Sequence, residues 1–231
     1  LHSATAELYS QYYNQNRWRF SERTTTLAFN PEDLRSWSLQ QIQQKIKTHY
    51  LASLSNKEDL LQLPIASLQT ILQSYDTGDK DHIYDGKKLQ PSIFDFLAHR
   101  ALDYFKRDEG RVSRPINEFS PDDWPVFGSV EAYSKIQFTS SDTNSNLFHS
   151  ALIFQELLET YSSQKRENSL IFYNLERLLF FHNQSQHDLK DSLYLSALKA
   201  FSEEYKTSEM AAEIDYKIAQ RYFQWGSKYN S

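Results

Sequence analysis

The stretch with the clearest chemical potential covers residues 94–105, FDFLAHRALDYF, in which Asp95, His99 and Asp103 recur at every fourth position. This spacing places the three side chains on one face of an α-helix. A carboxylate next to an imidazole can orient the ring or ligate a zinc ion together with it. The three residues are therefore candidates for a metal site, and one functional hypothesis is a metal-dependent hydrolase that uses Asp95 and His99.

The same stretch is also typical of a packed helix, because apolar side chains cover more than half of its circumference and leave the three residues as a polar strip. A working site would need further ligands or a nucleophile. None of the other histidines lies in an H-E-x-x-H pairing. We therefore expect a polar seam whose members form ion pairs with Arg100 or a neighbouring loop, and we predict no catalytic residue, metal or cofactor.

Residues 76–85 form an acidic, glycine-containing segment with two further candidate chemistries. The triplet DTG at 76–78 matches the aspartic-protease motif, but that chemistry needs two carboxylates that share a proton, and the chain has a single copy. The aspartates of 76–85 also suggest a calcium loop, although their spacing departs from the D-x-[DN]-x-[DN]-G pattern. We expect a solvated acidic turn, and calcium binding stays an open alternative.

Aromatic side chains are the remaining candidates for binding. The four tryptophans could form platforms for carbohydrate or peptide, although such rings usually fill gaps between helices. Trp124 is the leading candidate among them because it lies in a proline-rich segment. Tyr216 and Tyr222 are the other candidates, as tyrosines that helix packing would leave on the surface.

Composition narrows the class of protein. The 231 residues are 39% hydrophobic and 15% aromatic with only 5 Gly and 6 Pro, which favours long helices with bulky packing. Lys and Arg are scattered among carboxylates at a net charge of -5, so nucleic acid is not an expected partner. The absence of cysteine excludes disulfides and thiolate sites. No apolar run approaches the roughly 20 residues of a membrane span, so we predict no transmembrane segment.

Helical periodicity and end signals recur along the chain. Ser38 and Gln41 form a predicted capping box before a helix over 39–54, and Pro64 starts a helix predicted to stop near Ser74. A loop is expected over 75–90, and Pro91 precedes the helix that contains the opening stretch, to Lys106. The predicted organisation is an N-terminal helical half (1–107), an irregular connector (108–145) in which only AYSKIQF at 132–138 could be extended, and a helical-hairpin array (146–231), or one continuous domain.

The last third contains four amphipathic segments, with Gly226 as a predicted C′ cap. Apolar positions of the first two segments recur 44 residues later in the last two, for example Ile153 with Ala197 and Leu178 with Tyr222. Such a period is typical of stacked helical hairpins. We therefore predict an all-α protein with tetratricopeptide-like, α-solenoid-like stacking in its C-terminal half.

Several strings, in order, resemble a known family: LYSQYYNQNRWRFSERT, DLRSWSLQQIQQKIKTHYLASL, LQPSIFDFLAHRALDYF and the closing ALKAFSEEY with IDYKIAQRYF. They are similar to the N-terminal helical, tetratricopeptide-like region of very large bacterial alpha-2-macroglobulin-like proteins. The resemblance spans nearly the whole chain, and its most specific part is the helix with DFLAHRALDYF. It implies an exported, often membrane-anchored parent chain that continues into β-rich macroglobulin domains.

The resemblance implies a non-catalytic scaffold or interaction module in the cell envelope, periplasmic or associated with the outer membrane through the parent. Its implied partner is the remainder of that chain, or another envelope protein. Some related macroglobulins trap proteases through a thioester made from Cys and Gln, and this chain has no cysteine. We expect a processed or trimmed piece, since the chain starts at Leu1 without Met. The alternative is a free-standing tetratricopeptide-like module that binds peptides in a groove lined by 172–179 and 216–223.

Overall fold

A computed structural model describes residues 1–21, 30–68, 70, 86–107 and 119–228. These ranges are all-α, as predicted: they contain no β-strand, and the extended pairing found in them is an isolated bridge between Pro64 and Ser92. The helices in chain order are α1 (His2–Gln15), α2 (Arg17–Ser21), α3 (Leu39–Ala52), α4 (Lys57–Gln62), α5 (Gly86–Leu89), α6 (Ile93–Lys106), α7 (Val130–Ser134), α8 (Asn146–Ser163), α9 (Glu167–Gln184), α10 (Lys190–Glu204) and α11 (Ala211–Lys228).

The chain forms two compact units whose bounds differ from the expected 1–107, 108–145 and 146–231. The first unit combines residues 1–75 with 91–113, and the second combines 76–90 with 114–231. The difference arises because α5, in a segment expected to be loop, packs against α9. There the Ser169 hydroxyl donates a hydrogen bond to the Leu89 carbonyl oxygen at 2.9 Å. Sequence spacing contains no sign of this contact between residues 80 positions apart.

The first unit is built on the packing of α3 against α1 and of α6 against α3 and α4. Its predicted capping box is confirmed, since the Gln41 backbone N–H donates to Ser38 Oγ and the Ser38 N–H donates to Gln41 Oε1. From this cap α3 buries Ile42, Ile46 and Tyr50, and it ends at Ala52, two residues before the predicted end. After Pro64 the structure has a 3-10 helix, Ile65–Leu68. Of the rest of the predicted helix, the structure describes only Thr70.

The second unit contains α8, α9, α10 and α11, each packed against the next. The predicted repeat has a structural counterpart, because α10 begins 44 residues after α8 and α11 begins 44 residues after α9. The predicted C′ cap at Gly226 is wrong, since α11 continues to Lys228. Gly226 is exposed, and a Cβ added there would meet no atom within 4 Å. A glycine at such a position weakens a helix without ending it.

The segment 119–145 was expected to be irregular, and it contains a 3-10 helix, Pro121–Asp123, and α7. The stretch 132–138, the expected extended candidate, therefore begins inside a helix. Gln155 of α8 contacts the C-terminal end of α7. Its side-chain amide donates to the carbonyl oxygens of Tyr133, Ser134 and Ile136 at 3.0, 3.2 and 2.8 Å, which satisfies acceptors that a helix C-terminus leaves unpaired.

Arg177 of α9 is completely buried in the second unit. Its guanidinium donates to the carbonyl oxygens of Val126 and Gly128 at 3.2 and 2.9 Å, and it lies 4.3 Å from the ring centroid of Tyr133. Burial lowers the pKa of Arg177 to about 10. The charged side chain therefore ties the segment before α7 to α9 through two carbonyls and an aromatic face.

Candidate interaction surface

The structure gives the three residues of the opening stretch separate roles. Asp95 is completely buried, so the expected strip shared with His99 and Asp103 is wrong for this residue. Its carboxylate accepts a hydrogen bond from the Ser92 backbone N–H at 2.8 Å, while Ser92 Oγ accepts from the Asp95 N–H at 3.3 Å. This is a second capping box, with Asp at the position usually held by Glu or Gln. The sequence pattern did not predict this capping box, because the expected Glu or Gln is absent from that position.

His99 and Asp103 form a partly exposed pair, with 3.4 Å between His99 Nε2 and Asp103 Oδ2. Asp103 also lies 3.4 Å from the Lys106 ammonium. Within the described part of the chain, no three His, Cys, Asp or Glu side chains lie close enough together to hold a metal ion. The DTG triplet and the candidate calcium loop at 76–85 lie outside the described residues.

Replacing Ser92 with alanine should lower the free energy of unfolding by about 1 kcal/mol, because α6 loses its side-chain N-cap. Urea denaturation followed by circular dichroism measures the change. Ser38→Ala removes the equivalent cap of α3 and serves as the matched control, with a loss of similar size expected. An unchanged midpoint for Ser92→Ala would contradict the assigned cap.

Arg100 forms its ion pair with α1. Its guanidinium donates to Ser3 Oγ at 3.0 Å and to Glu7 Oε2 at 3.2 Å, and the Tyr50 hydroxyl donates to the same Glu7 oxygen at 3.1 Å. This network links α1, α3 and α6 in the first unit. Burial and the Glu7 charge raise the pKa of Tyr50 to about 12.

The raised pKa of Tyr50 predicts alkaline sensitivity. The hydroxyl titrates near pH 10 in the unfolded chain and near 12 in the folded one, so its stabilisation is complete below pH 10. It should be lost as the pH rises from 10 to 12. Urea denaturation at several pH values should show this loss in the native protein and a smaller one in Tyr50→Phe. Identical pH profiles would contradict the assignment.

Three of the tryptophans pack as structural side chains. Trp37 is buried, donates to the Asn30 carbonyl oxygen at 3.1 Å and stacks on Tyr9. Trp124, the leading candidate from sequence, is half-buried in an aromatic cluster, with ring centroids 6.4 Å from Phe119 and 5.3 Å from Phe138. Trp225 is half-buried under the Arg221 guanidinium. Trp18 differs from these three, since it is 63% exposed.

Among the described residues of the second unit, the exposed tyrosine and phenylalanine rings lie on α11. Tyr216 and Tyr222, both candidates from sequence, are 58% and 46% exposed, and Phe223, the last residue of the predicted groove range 216–223, is 78% exposed. Helical geometry places these rings around the exposed Ala219. We call the surface formed by Tyr216, Ala219, Tyr222 and Phe223 the outer face of α11. The three rings together expose roughly 350 Å², which is within the range of functional patches on monomers.

The repeat explains why this face is open. Leu175 and Leu178 of α9 are buried, whereas the residues 44 positions later, Ala219 and Tyr222, are exposed. α9 packs against α8, α10 and α5, while the main neighbour of α11 is α10. The inner faces of the two helices do correspond, since Arg177 and its counterpart Arg221 are both buried. The outer face of α11 is thus the repeat position that a further element would cover.

A polar cluster of buried Arg221 with the partly exposed His182 and Asp191 fixes α11 to its neighbours. Asp191 at the start of α10 pairs with Arg221, and its Oδ1 lies 2.6 Å from His182 Nε2 on α9. Burial would raise the pKa of Asp191, but the His182 hydrogen bond and the Arg221 charge outweigh it and lower the pKa. His182 also stacks on Tyr194, with 4.7 Å between ring centroids. The outer face is therefore presented by a helix held in a fixed orientation.

Comparisons with protein-family models, curated proteins and solved structures found no match. Within the described ranges, no helix is long and apolar enough to cross a membrane.

Proposed function

We propose that this chain is a non-catalytic helical interaction module, and that it docks other protein through the outer face of α11. The observation that carries the proposal is the contrast between buried Leu175 and Leu178 and exposed Ala219 and Tyr222 at equivalent repeat positions. Exposed aromatic side chains that cluster together are typical of the centres of protein–protein interfaces.

The proposed occupant is an amphipathic helix. Three large rings lie around Ala219, and an apolar side chain of a partner helix could pack among them, as in helix packing. Lys217 lies over the ring of Tyr216 and Lys199 over that of Tyr222, so basic groups border the apolar centre. A helix with an apolar stripe flanked by acidic residues would complement these lysines in charge. If the predicted tetratricopeptide-like stacking continued beyond α11, a further helix would pack on α11 as α10 packs on α9, which supports the same occupant.

The source of that helix, in this proposal, is the remainder of a larger parent chain. The ordered resemblance to the N-terminal region of bacterial alpha-2-macroglobulin-like proteins supports this source and an exported, cell-envelope location. An antibody raised against residues 1–231 would test it on fractionated cells. A band several times larger than 27.2 kDa in the envelope fraction is the expected result. A band near 27.2 kDa in the soluble fraction would overturn this source.

A further inference from the structure

A cleft in the first unit is independent of the α11 surface. It lies where α1 ends and meets α2 and the 3-10 helix Leu34–Ser36, and its volume is about 310 Å³. Small-molecule sites begin at about this size. Its lining combines aromatic rings and guanidinium groups: Tyr12, Asn16, Trp18, Arg19, Phe20, Leu34 and Arg35.

The exposed aromatic ring of this cleft is Trp18. Its neighbour Phe20 is buried and packs against Tyr12 and Tyr13. Trp18 remains 63% exposed, although tryptophan is on average a well buried residue. Its indole therefore offers the cleft a flat apolar face, against which a sugar ring or an aromatic side chain can stack.

The charged groups among the described lining residues are the guanidinium groups of Arg19 and Arg35, and none of these described residues carries a carboxylate. Asp33 pairs with Arg35 at 3.0 Å. Arg19 lies 5.0 Å from the Trp18 ring centroid, and no acidic partner is found for it among the residues that the structure describes. Guanidinium groups in such a cleft can bind an anionic group.

We propose that this cleft binds a small ligand that carries a carboxylate beside a flat apolar face. The carboxylate accepts hydrogen bonds from Arg19 and Arg35, and the flat face stacks on Trp18. Two sources share this chemistry: an acidic sugar such as a uronic acid, and the carboxylate of an amino acid or peptide. The proposal does not depend on the function of α11.

Titration of the whole chain with four probes, followed by ¹H–¹⁵N NMR of the Trp18 indole, tests the proposal. The probes are glucuronate and N-acetylphenylalanine, each with a neutral counterpart, methyl glucoside and N-acetylphenylalaninamide. We expect saturation by one of the two carboxylates, which identifies the source, and binding at least about tenfold weaker for its neutral counterpart. Failure of both carboxylates to shift the indole signal at about 10 mM would overturn the proposal.

Two matched variants test whether binding depends on the cleft itself or only on general attraction between opposite charges. Arg19→Gln should weaken binding of the carboxylate probe at least about tenfold, because a charge-assisted contact is lost. Arg17→Gln removes the same charge from an exposed residue of α2 outside the lining, and it should weaken binding less than about twofold. A loss for Arg19→Gln no larger than that for Arg17→Gln would overturn the proposal. Circular dichroism confirms that each variant is folded.

Discussion

Replacing Arg177 with alanine should lower the free energy of unfolding of the second unit by about 3–5 kcal/mol. The variant leaves the carbonyl oxygens of buried Val126 and half-buried Gly128 without their donors and removes the cation beneath Tyr133. It also opens a cavity at a position that is completely buried. Urea denaturation followed by far-ultraviolet circular dichroism measures the loss.

Two controls separate the causes of this loss. Arg177→Met keeps most of the volume and has no charge to desolvate, so it should cost less, about 1–3 kcal/mol for the unpaired carbonyls. Lys206→Ala removes an exposed charge from the same unit and should change stability by less than about 0.5 kcal/mol. An Arg177→Ala variant as stable as Lys206→Ala would contradict the role given to the buried arginine.

Replacing Asp191 with alanine should also cost about 3–5 kcal/mol, because it leaves the buried Arg221 guanidinium without its carboxylate and removes the partner of His182. The loss should be concentrated in α11, which this cluster attaches to α10. Hydrogen exchange of residues 211–228 should therefore accelerate more than exchange in α8. Equal acceleration in both helices would argue against a local anchor.

The ion pair between Asp191 and Arg221 also predicts that the protein loses stability in acid. The pKa of Asp191 is lower in the folded chain than in the unfolded one, so its stabilisation is present above the unfolded value of about 3.9. It should be lost as the pH falls below that value and through the folded pKa. Asp191→Asn keeps the size of the side chain and should show a weaker dependence below about pH 4. An unchanged acid profile would contradict the pairing.

The parts of the fold that local chemistry determines could be predicted from the sequence. The capping box at Ser38, the all-α class and the 44-residue offset of the last helices follow from side-chain type and spacing. The surface tyrosines Tyr216 and Tyr222 were also found in this way, because they lie on a helix that needs only one buried face.

Features that depend on distant contacts could not be predicted. The buried state of Arg177 depends on two carbonyls about 50 residues away, and the C-terminal end of α7 contacts Gln155 of α8. The exposure of Trp18 and Trp124 could not be predicted, because it depends on which neighbours the fold supplies. The large exposure of Phe223 could not be predicted either, because apolar side chains are usually buried and exposure depends on which elements pack against α11, whose main neighbour among the described elements is α10.

Photo-crosslinking from position 223 tests the central claim, which is that the outer face of α11 docks a helix of the parent chain. A benzophenone amino acid replaces Phe223 in the full-length protein in its cells, and a matched probe replaces the exposed Glu203 of α10. Mass spectrometry of the digested protein then identifies the joined peptides. The account predicts crosslinks from position 223, and none from 203, to an apolar helical segment of the same polypeptide. Equal labelling from both positions, or crosslinks to a different polypeptide alone, would contradict it.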